Sequence, residues 1–130
     1  MISGTIGVVN QDPQKRKLLD DVLRGEGYST LFVPASHEAY ELIKSSQPDL
    51  VMLDTQMDAP GNGWQLVQEL RLDIQTAKLP LLILRTDDDE DVESKAPALA
   101  RYHHVEVMPA PFDPGFLVSK IKGMLADRAR

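Results

Sequence analysis

The stretch Leu50–Asp54 is the feature that most constrains how this chain can fold. Four consecutive apolar residues end at a carboxylate, between Pro48 and a loop rich in turn-forming residues. A run that is apolar at every position indicates a β-strand that is buried on both faces. Such strands are typical of parallel sheets, which bind ligands outside the carboxyl ends of their strands. Asp54 is therefore predicted to lie where a functional site would form.

Short apolar runs alternate along the whole chain with segments of helical periodicity. The predicted strands are Ile6–Val9, Tyr28–Val33, Leu50–Asp54, Leu81–Leu84 and Val105–Met108. The predicted helices are Pro13 to about Arg24, His37–Ser46, Trp64 to about Ile74, Asp91–Arg101 and Pro114 to about Leu125. This alternation predicts an α/β fold, a flavodoxin-like three-layer sandwich of five helices around a five-stranded parallel sheet in the order 2-1-3-4-5. In that order, Asp54 lies between the loops that follow the first and fourth strands.

Helix boundaries are marked by capping residues. Asp12 and Asp113 are predicted N-caps, each followed by a proline suited to the first helical position, and Ser36 is predicted to cap the second helix. The residues expected to face the core from the first, third and last helices are Leu18, Leu19, Val22, Leu23, Leu66, Val67, Leu70, Ile74, Phe116, Leu117, Ile121, Met124 and Leu125.

The composition bounds the class of protein. The 130 residues suit a single domain, residues 1–130, with a core from about residue 6 to residue 125. A net charge of −6 argues against nonspecific nucleic-acid binding, and the lack of cysteine excludes disulfides and thiolate metal sites. No apolar run approaches the roughly 20 residues of a transmembrane helix, and no signal peptide is evident. A cytoplasmic protein without membrane contact is expected.

A set of short motifs gives the chain a family resemblance. The motifs are Val8-Val9-x-x-Asp12-Pro13, Gly27-Tyr28, Pro48 to Asp54, Met57, Asn62-Gly63, Leu70-Arg71, Pro80 and Pro111-Phe112. Together they resemble the receiver domain of two-component response regulators. The resemblance implies that Asp54 occupies the position that accepts a phosphoryl group from a histidine kinase. It also implies an acidic pair that binds Mg²⁺ after the first strand, a Thr or Ser after the fourth, and a Lys after the fifth.

Most of the residues that support the acceptor in that family are replaced here. The acidic pair falls on Asn10 and Gln11, and the next residue, Asp12, is explained more simply as a helix cap. The Thr/Ser position falls on Arg85, one residue before Thr86. The Lys position falls on Ala110, and the aromatic position of the fifth strand falls on Val107.

These replacements predict a degenerate receiver. The candidate Mg²⁺ ligands are Asp12, Asp54 and the backbone carbonyl of Gln56, and such a set should bind the metal weakly or not at all. We therefore expect a signalling module without enzymatic activity or cofactor, which contacts a histidine kinase or a downstream protein with little or no phosphorylation. The expected contact surface is the fourth helix, fifth strand and fifth helix, which could also form a homodimer. The alternative is a working phosphoacceptor that uses Mg²⁺.

Arg85 is the replacement with the clearest chemical consequence. One hypothesis is that its guanidinium pairs with Asp54 and supplies charge that metal and lysine supply elsewhere, because arginine suits bidentate binding of carboxylates. The alternative is that Arg85 faces solvent or pairs with Asp87, Asp88 or Asp89.

Overall fold

The described part of the chain alternates strands and helices from end to end. The computed structural model describes residues 4–10, 12–34, 38–54, 62–85, 105–109 and 113–128, with only the backbone at positions 54, 62–65, 85, 109, 127 and 128. The elements are β1 (Thr5–Val9), α1 (Pro13–Gly25), β2 (Ser29–Val33), α2 (Ala39–Ser46), β3 (Leu50–Asp54), α3 (Asn62–Leu72), β4 (Leu81–Arg85), β5 (Val105–Pro109) and α4 (Pro114–Arg128). The predicted helix Asp91–Arg101 lies outside the described residues, so α4 is the helix predicted as the fifth.

The five strands form one sheet in the order β2-β1-β3-β4-β5, and every neighbouring pair is parallel. The predicted strand order and fold class are confirmed. The central strands β1, β3 and β4 are buried because their runs are apolar on both faces of the pleat. A parallel sheet of this kind needs a helix between consecutive strands, which the described helices provide wherever the connection is described.

Alternate residues of the central strands enter two separate cores. One core packs under α2 and α3 and contains Val9, Val51, Leu53, Leu81, Ile83, Ala39, Ile43, Leu66, Val67 and Leu70. The other packs under α1 and α4 and contains Ile6, Val8, Leu50, Met52, Leu82, Leu84, Leu19, Leu23, Leu117, Ile121 and Met124. Two apolar layers therefore fix the sheet, and with it the edge at which the strands end.

Two of the predicted caps are present. Asp12 accepts a hydrogen bond from the backbone N–H of Gln14 at 2.9 Å, and Asp113 accepts one from Gly115 at 2.9 Å. The predicted cap Ser36 lies outside the described residues. The helix α2 begins at Ala39, and Glu38 occupies its N-cap position without a side-chain cap.

Three residues expected in the core are exposed. Leu18 is 51%, Phe116 59% and Ile74 92% exposed, so these predictions were wrong. Leu18 and Phe116 each precede a buried leucine, and consecutive residues of a helix differ by about 100° in direction, so only one of the two can face the sheet.

Ile74 is exposed because α3 ends before it. The helix spans Asn62–Leu72, starting and finishing two residues earlier than predicted. Directly after it, the Asp73 carboxylate accepts the Gln75 N–H at 2.9 Å, and the Thr76 hydroxyl donates to the Leu70 carbonyl at 2.5 Å. These local hydrogen bonds replace helical ones and turn the chain away from the helix axis. No helix within the described ranges is long and apolar enough to cross a membrane.

Candidate functional site

The strands end together at one edge of the sheet, and Asp54 ends the middle strand. The aligned pairs at this edge are Val9–Leu53, Asp54–Leu84 and Arg85–Pro109. Because neighbouring strands are about 4.8 Å apart, the backbone of Asp54 is one strand away from the ends of β1 and β4. We refer to this edge, formed by the carboxyl ends of the strands and the residues that follow them, as the site edge.

Asn10 directly follows β1 at the site edge and is buried. Only 3% of the residue is exposed, which is rare for an asparagine unless its polar atoms are hydrogen-bonded. Its side-chain Oδ1 accepts a hydrogen bond from the backbone N–H of Asp12 at 2.8 Å. A position predicted as a lost acidic ligand thus has a defined role in the backbone of the connection between β1 and α1.

Asp12 is the first acidic residue after β1, and its carboxylate is used by α1. Besides the bond from Gln14, its backbone carbonyl accepts the N–H of Arg16 at 3.0 Å, the first hydrogen bond of the helix. Pro13 follows at the first helical position, where a missing N–H costs nothing. The predicted capping role of Asp12 is confirmed.

The remaining predicted site residues are placed only in part. The backbones of Asp54 and Arg85 end adjacent strands, and Arg85 is the residue after Leu84, the partner of Asp54. The predicted ion pair between these two side chains stays a prediction. Gln11, Gln56, Thr86 and Ala110 lie outside the described residues. Among the described residues, no group of three or more His, Cys, Asp or Glu side chains is arranged to hold a metal ion.

Val107 of β5 occupies the position where the family resemblance implies an aromatic residue. It is half-buried and packs against the core under α2 and α3. One residue earlier in β5, the carboxylate of Glu106 forms an ion pair with Lys120 of α4 at 2.6 Å. The described face of β5 and α4 is therefore tied together by a charged pair.

A second group of polar residues was not anticipated from the sequence, and it lies at the opposite edge, where the strands begin. Asp73, after α3, accepts hydrogen bonds from the Tyr40 hydroxyl and the Gln75 N–H and forms a 2.9 Å ion pair with Lys44. These three donors, the Tyr40 hydroxyl first, lower the pKa of Asp73 from 3.8 to about 2. The nearby Arg71 guanidinium donates to backbone carbonyls of Thr76 and Ala77, at 2.8 Å each, and of Leu79.

This fold and this site edge define a class of signalling domain. The family model for the response regulator receiver domain matches residues 6–122. The chain belongs to this family, and it is a receiver domain of two-component signalling. Receiver domains interact with proteins such as kinases and effectors.

Among known proteins, the chain is similar to a transcriptional regulatory protein and to a DNA-binding response regulator. It is 27% identical over 126 residues to the phosphate regulon transcriptional regulatory protein PhoB of Pseudomonas aeruginosa, a match that covers 96% of this chain and 53% of PhoB. It is 33% identical over 119 residues to the DNA-binding response regulator MtrA of Mycolicibacterium smegmatis, covering 91% of this chain and 49% of MtrA. The chain therefore spans about half the length of these relatives.

Two crystal structures show the same fold. A protein from Chloroflexus aurantiacus that is assigned as a response regulator superposes with a TM-score of 0.82 at 29% identity, covering 96% of this chain and 99% of that one. The signal receiver domain of a signal transduction histidine kinase from Syntrophus aciditrophicus superposes with a TM-score of 0.83 at 22% identity, covering 95% and 91% of the two chains. At this lower identity the second match supports the fold alone.

Proposed function

We propose that this chain is an atypical receiver, a single domain over residues 1–130 that signals through protein–protein contacts with little or no phosphoryl transfer. The observation that carries the proposal is the state of the residues after β1. Asn10 is buried with its oxygen bonded to the Asp12 amide, and the Asp12 carboxylate caps α1. The chain thus uses these two positions to build the start of a helix.

Phosphoryl transfer to a carboxylate brings two anions together, and catalysis of such a step relies on cations that stabilise the shared charge. Mg²⁺ is usually held by one or two carboxylates besides the phosphate oxygens. Here neutral Asn10 and Gln11 stand at the acidic positions and Ala110 at the lysine position. The donor set does not fit a bound Mg²⁺, so we propose no metal, no cofactor and no catalytic residue for this domain.

We propose that the Arg85 guanidinium forms an ion pair with the Asp54 carboxylate. Its backbone follows Leu84, the residue aligned with Asp54 across β3 and β4. An arginine side chain is long enough to reach a carboxylate on a neighbouring strand, and a guanidinium that binds a carboxylate in a fork balances its charge without a metal. In that arrangement the Asp54 carboxylate has a cationic partner without a metal or a phosphoryl group.

The proposed partner is a protein, either a histidine kinase or a downstream signalling protein, in the cytoplasm. The proposed contact surface comprises the segment between β4 and β5 together with β5 and α4, where Glu106 and Lys120 already form one ion pair. A homodimer through this surface is part of the same proposal. We propose that the domain itself does not contact nucleic acid, because its net charge of −6 opposes phosphate binding.

Titration with beryllofluoride and Mg²⁺, followed by NMR or fluorescence, tests the proposal. We expect no saturable binding by the wild-type chain at millimolar Mg²⁺. A matched variant with Asn10→Asp, Gln11→Asp and Ala110→Lys restores the acidic pair and the lysine, and we expect it to gain Mg²⁺-dependent binding. Saturable binding by the wild-type chain that is lost in Asp54→Asn would contradict the proposal.

The second candidate is a functional phosphoacceptor, which the position of Asp54 at the end of β3 and the family match favour. Its cellular test is the Asp54→Asn substitution, which removes the acceptor with little change of shape. The atypical receiver predicts nearly unchanged signalling and partner binding. Loss of signalling by a variant that remains folded, judged from its thermal unfolding, would favour the phosphoacceptor instead.

A further inference from the structure

The connection from β1 into α1 is held by two hydrogen bonds of the same kind. Asn10 Oδ1 accepts the N–H of the residue two positions later, Asp12, at 2.8 Å. Asp12 Oδ1 in turn accepts the N–H of the residue two positions later, Gln14, at 2.9 Å. Each side chain fixes the backbone that carries the next acceptor, so the orientation of the Asp12 carboxylate depends on the bond made by Asn10.

An amide is better suited than a carboxylate to the position of Asn10. The residue is only 3% exposed, it is two residues from the Asp12 carboxylate, and β1 is the strand beside β3, which ends at Asp54. A buried charge near other carboxylates is costly unless a cation balances it. Asparagine offers the same acceptor oxygen without the charge, and so makes the backbone bond without needing a cation.

We infer that Asn10 is a positioning residue that holds the β1–α1 connection, and the Asp12 cap with it, in place without a divalent cation. This inference rests on the proposed function, because it explains how Asn10 and Asp12 keep their bonds from backbone N–H groups in a receiver that is proposed not to bind Mg²⁺. The inference also goes beyond the proposed function, because it assigns Asn10 a structural role and does not treat this residue only as a lost metal ligand.

Two substitutions of nearly equal size separate the oxygen from the charge. Asn10→Leu removes the acceptor, and we expect the thermal midpoint to fall by roughly 4–8 °C and the Asp12 amide hydrogen to exchange at least about tenfold faster, in EDTA and in Mg²⁺ alike. Asn10→Asp keeps the oxygen and adds a charge. We expect it to retain protection of the Asp12 amide, to lose stability in EDTA, and to regain that stability in millimolar MgCl₂. If the Asp12 amide stays protected in Asn10→Asp but not in Asn10→Leu, the side-chain oxygen of residue 10 is the group that protects it.

The inference is overturned if Asn10→Leu leaves the midpoint and the Asp12 exchange rate unchanged. It is also overturned if Asn10→Asp is as stable as the wild type in EDTA, since neutrality at this position would then have no effect. One further test uses only the wild-type chain. Adding MgCl₂ should leave the exchange rate of the Asp12 amide hydrogen unaltered, and slower exchange would refute the inference that Asn10 holds this connection without a divalent cation.

These outcomes are distinguishable from failure of the proposed function. Saturable beryllofluoride binding by the wild-type chain would refute the proposed function, whereas the Asn10→Leu result in EDTA involves neither metal nor phosphoryl analogue. Conversely, an unaffected Asn10→Leu variant would refute the positioning role even if the wild-type chain binds no beryllofluoride.

Discussion

The two edges of the sheet treat charge in opposite ways. At the edge where the strands begin, charged side chains are bound closely: Asp73 accepts three donors, and Arg71 donates to three backbone carbonyls. At the site edge, the described polar contacts after β1 come from a neutral amide, Asn10, and from one carboxylate, Asp12, that caps a helix.

This comparison distinguishes charges that stabilise the fold from charges that a phosphorylated receiver would use for its function. The opposite edge uses the charge of Arg71 to hold the connection from α3 to β4. The site edge of a phosphorylated receiver would instead gather charges that only a metal and a phosphoryl group can balance. In this chain the described side chains after β1, those of Asn10 and Asp12, accept hydrogen bonds from backbone N–H groups. We therefore expect substitutions of Arg71 and Asp73 to affect folding strongly, and those at Asp12 to affect only the local helix.

The largest effect is expected from removing Arg71. Arg71→Leu leaves the carbonyls of Thr76, Ala77 and Leu79 without their charged donor, and the free energy of unfolding should fall by about 2–4 kcal/mol. Urea denaturation measures the change. Arg71→Lys is the matched control: it keeps the charge but not the planar fork, and should recover only part of the loss. If Arg71→Leu lowered the free energy of unfolding by less than Asp12→Ala does, the contrast drawn between the two edges would be wrong.

The next effect concerns Asp73 and acid. Because its pKa is about 2 in the folded chain and 3.8 ordinarily, the carboxylate contributes stability above pH 3.8 that is lost as the pH falls from 3.8 towards 2. Asp73→Asn should remove this contribution, so its stability deficit should be constant at neutral pH and shrink over that acid range. Urea unfolding of both proteins at a series of pH values measures it. A deficit independent of pH would show that the charge of Asp73 is unimportant.

A smaller effect is expected at the site edge. Asp12→Ala removes the cap of α1 and should cost about 1 kcal/mol of unfolding free energy, whereas Asp12→Asn, which also caps well, should stay within a few tenths. Chemical denaturation with and without Mg²⁺ distinguishes a cap from a metal ligand. If Asp12→Asn abolished a stabilisation by Mg²⁺ that the wild type possessed, the carboxylate would be serving as a ligand.

The smallest effect on stability is expected from a substitution of Tyr28 at the opposite edge. Tyr28 precedes β2 there, and within the described part of the chain its buried hydroxyl makes no hydrogen bond. Tyr28→Phe removes a buried polar group without a partner, so stability should be unchanged or rise by up to about 1 kcal/mol. Tyr40→Phe is the matched control, and its stability should fall because it loses the bond to Asp73. A clear loss in Tyr28→Phe would reveal a partner for its hydroxyl.

The sequence predicted those parts of the fold that depend on continuous patterns. The runs at Leu50–Leu53 and Leu81–Leu84 are apolar at every position, and such runs have few alternatives to a buried parallel strand. The caps at Asp12 and Asp113 were predictable for a similar reason, since an N-cap followed by proline is a local signal. The alternation of elements predicted a parallel sheet, and the strand order was predicted by analogy with flavodoxin-like folds.

Predictions that depended on the end of an element, or on packing geometry, were less successful. Ile74 matched the helical spacing of α3, but the hydrogen bonds of Asp73 and Thr76 end the helix before it. The role of Arg71 could not be inferred, because its partners are backbone carbonyls, which no residue type identifies. At the site, the sequence pointed to Asn10 as a missing acid, whereas its bond to the Asp12 amide depends on local backbone geometry that composition does not encode.

The strand order also has a consequence for how this chain is made. β1 is a central strand, and one of its two neighbours, β3, lies far along the chain: Thr5 donates to Asp49, 44 residues later, at 2.8 Å. At a synthesis rate of about 5–20 residues per second, β1 has no β3 to pair with for roughly 2–9 s after β1 has been translated. For that interval the β3 side of β1, whose apolar side chains are those of Ile6, Val8 and Val9, is an open strand edge at which the nascent chain can pair wrongly.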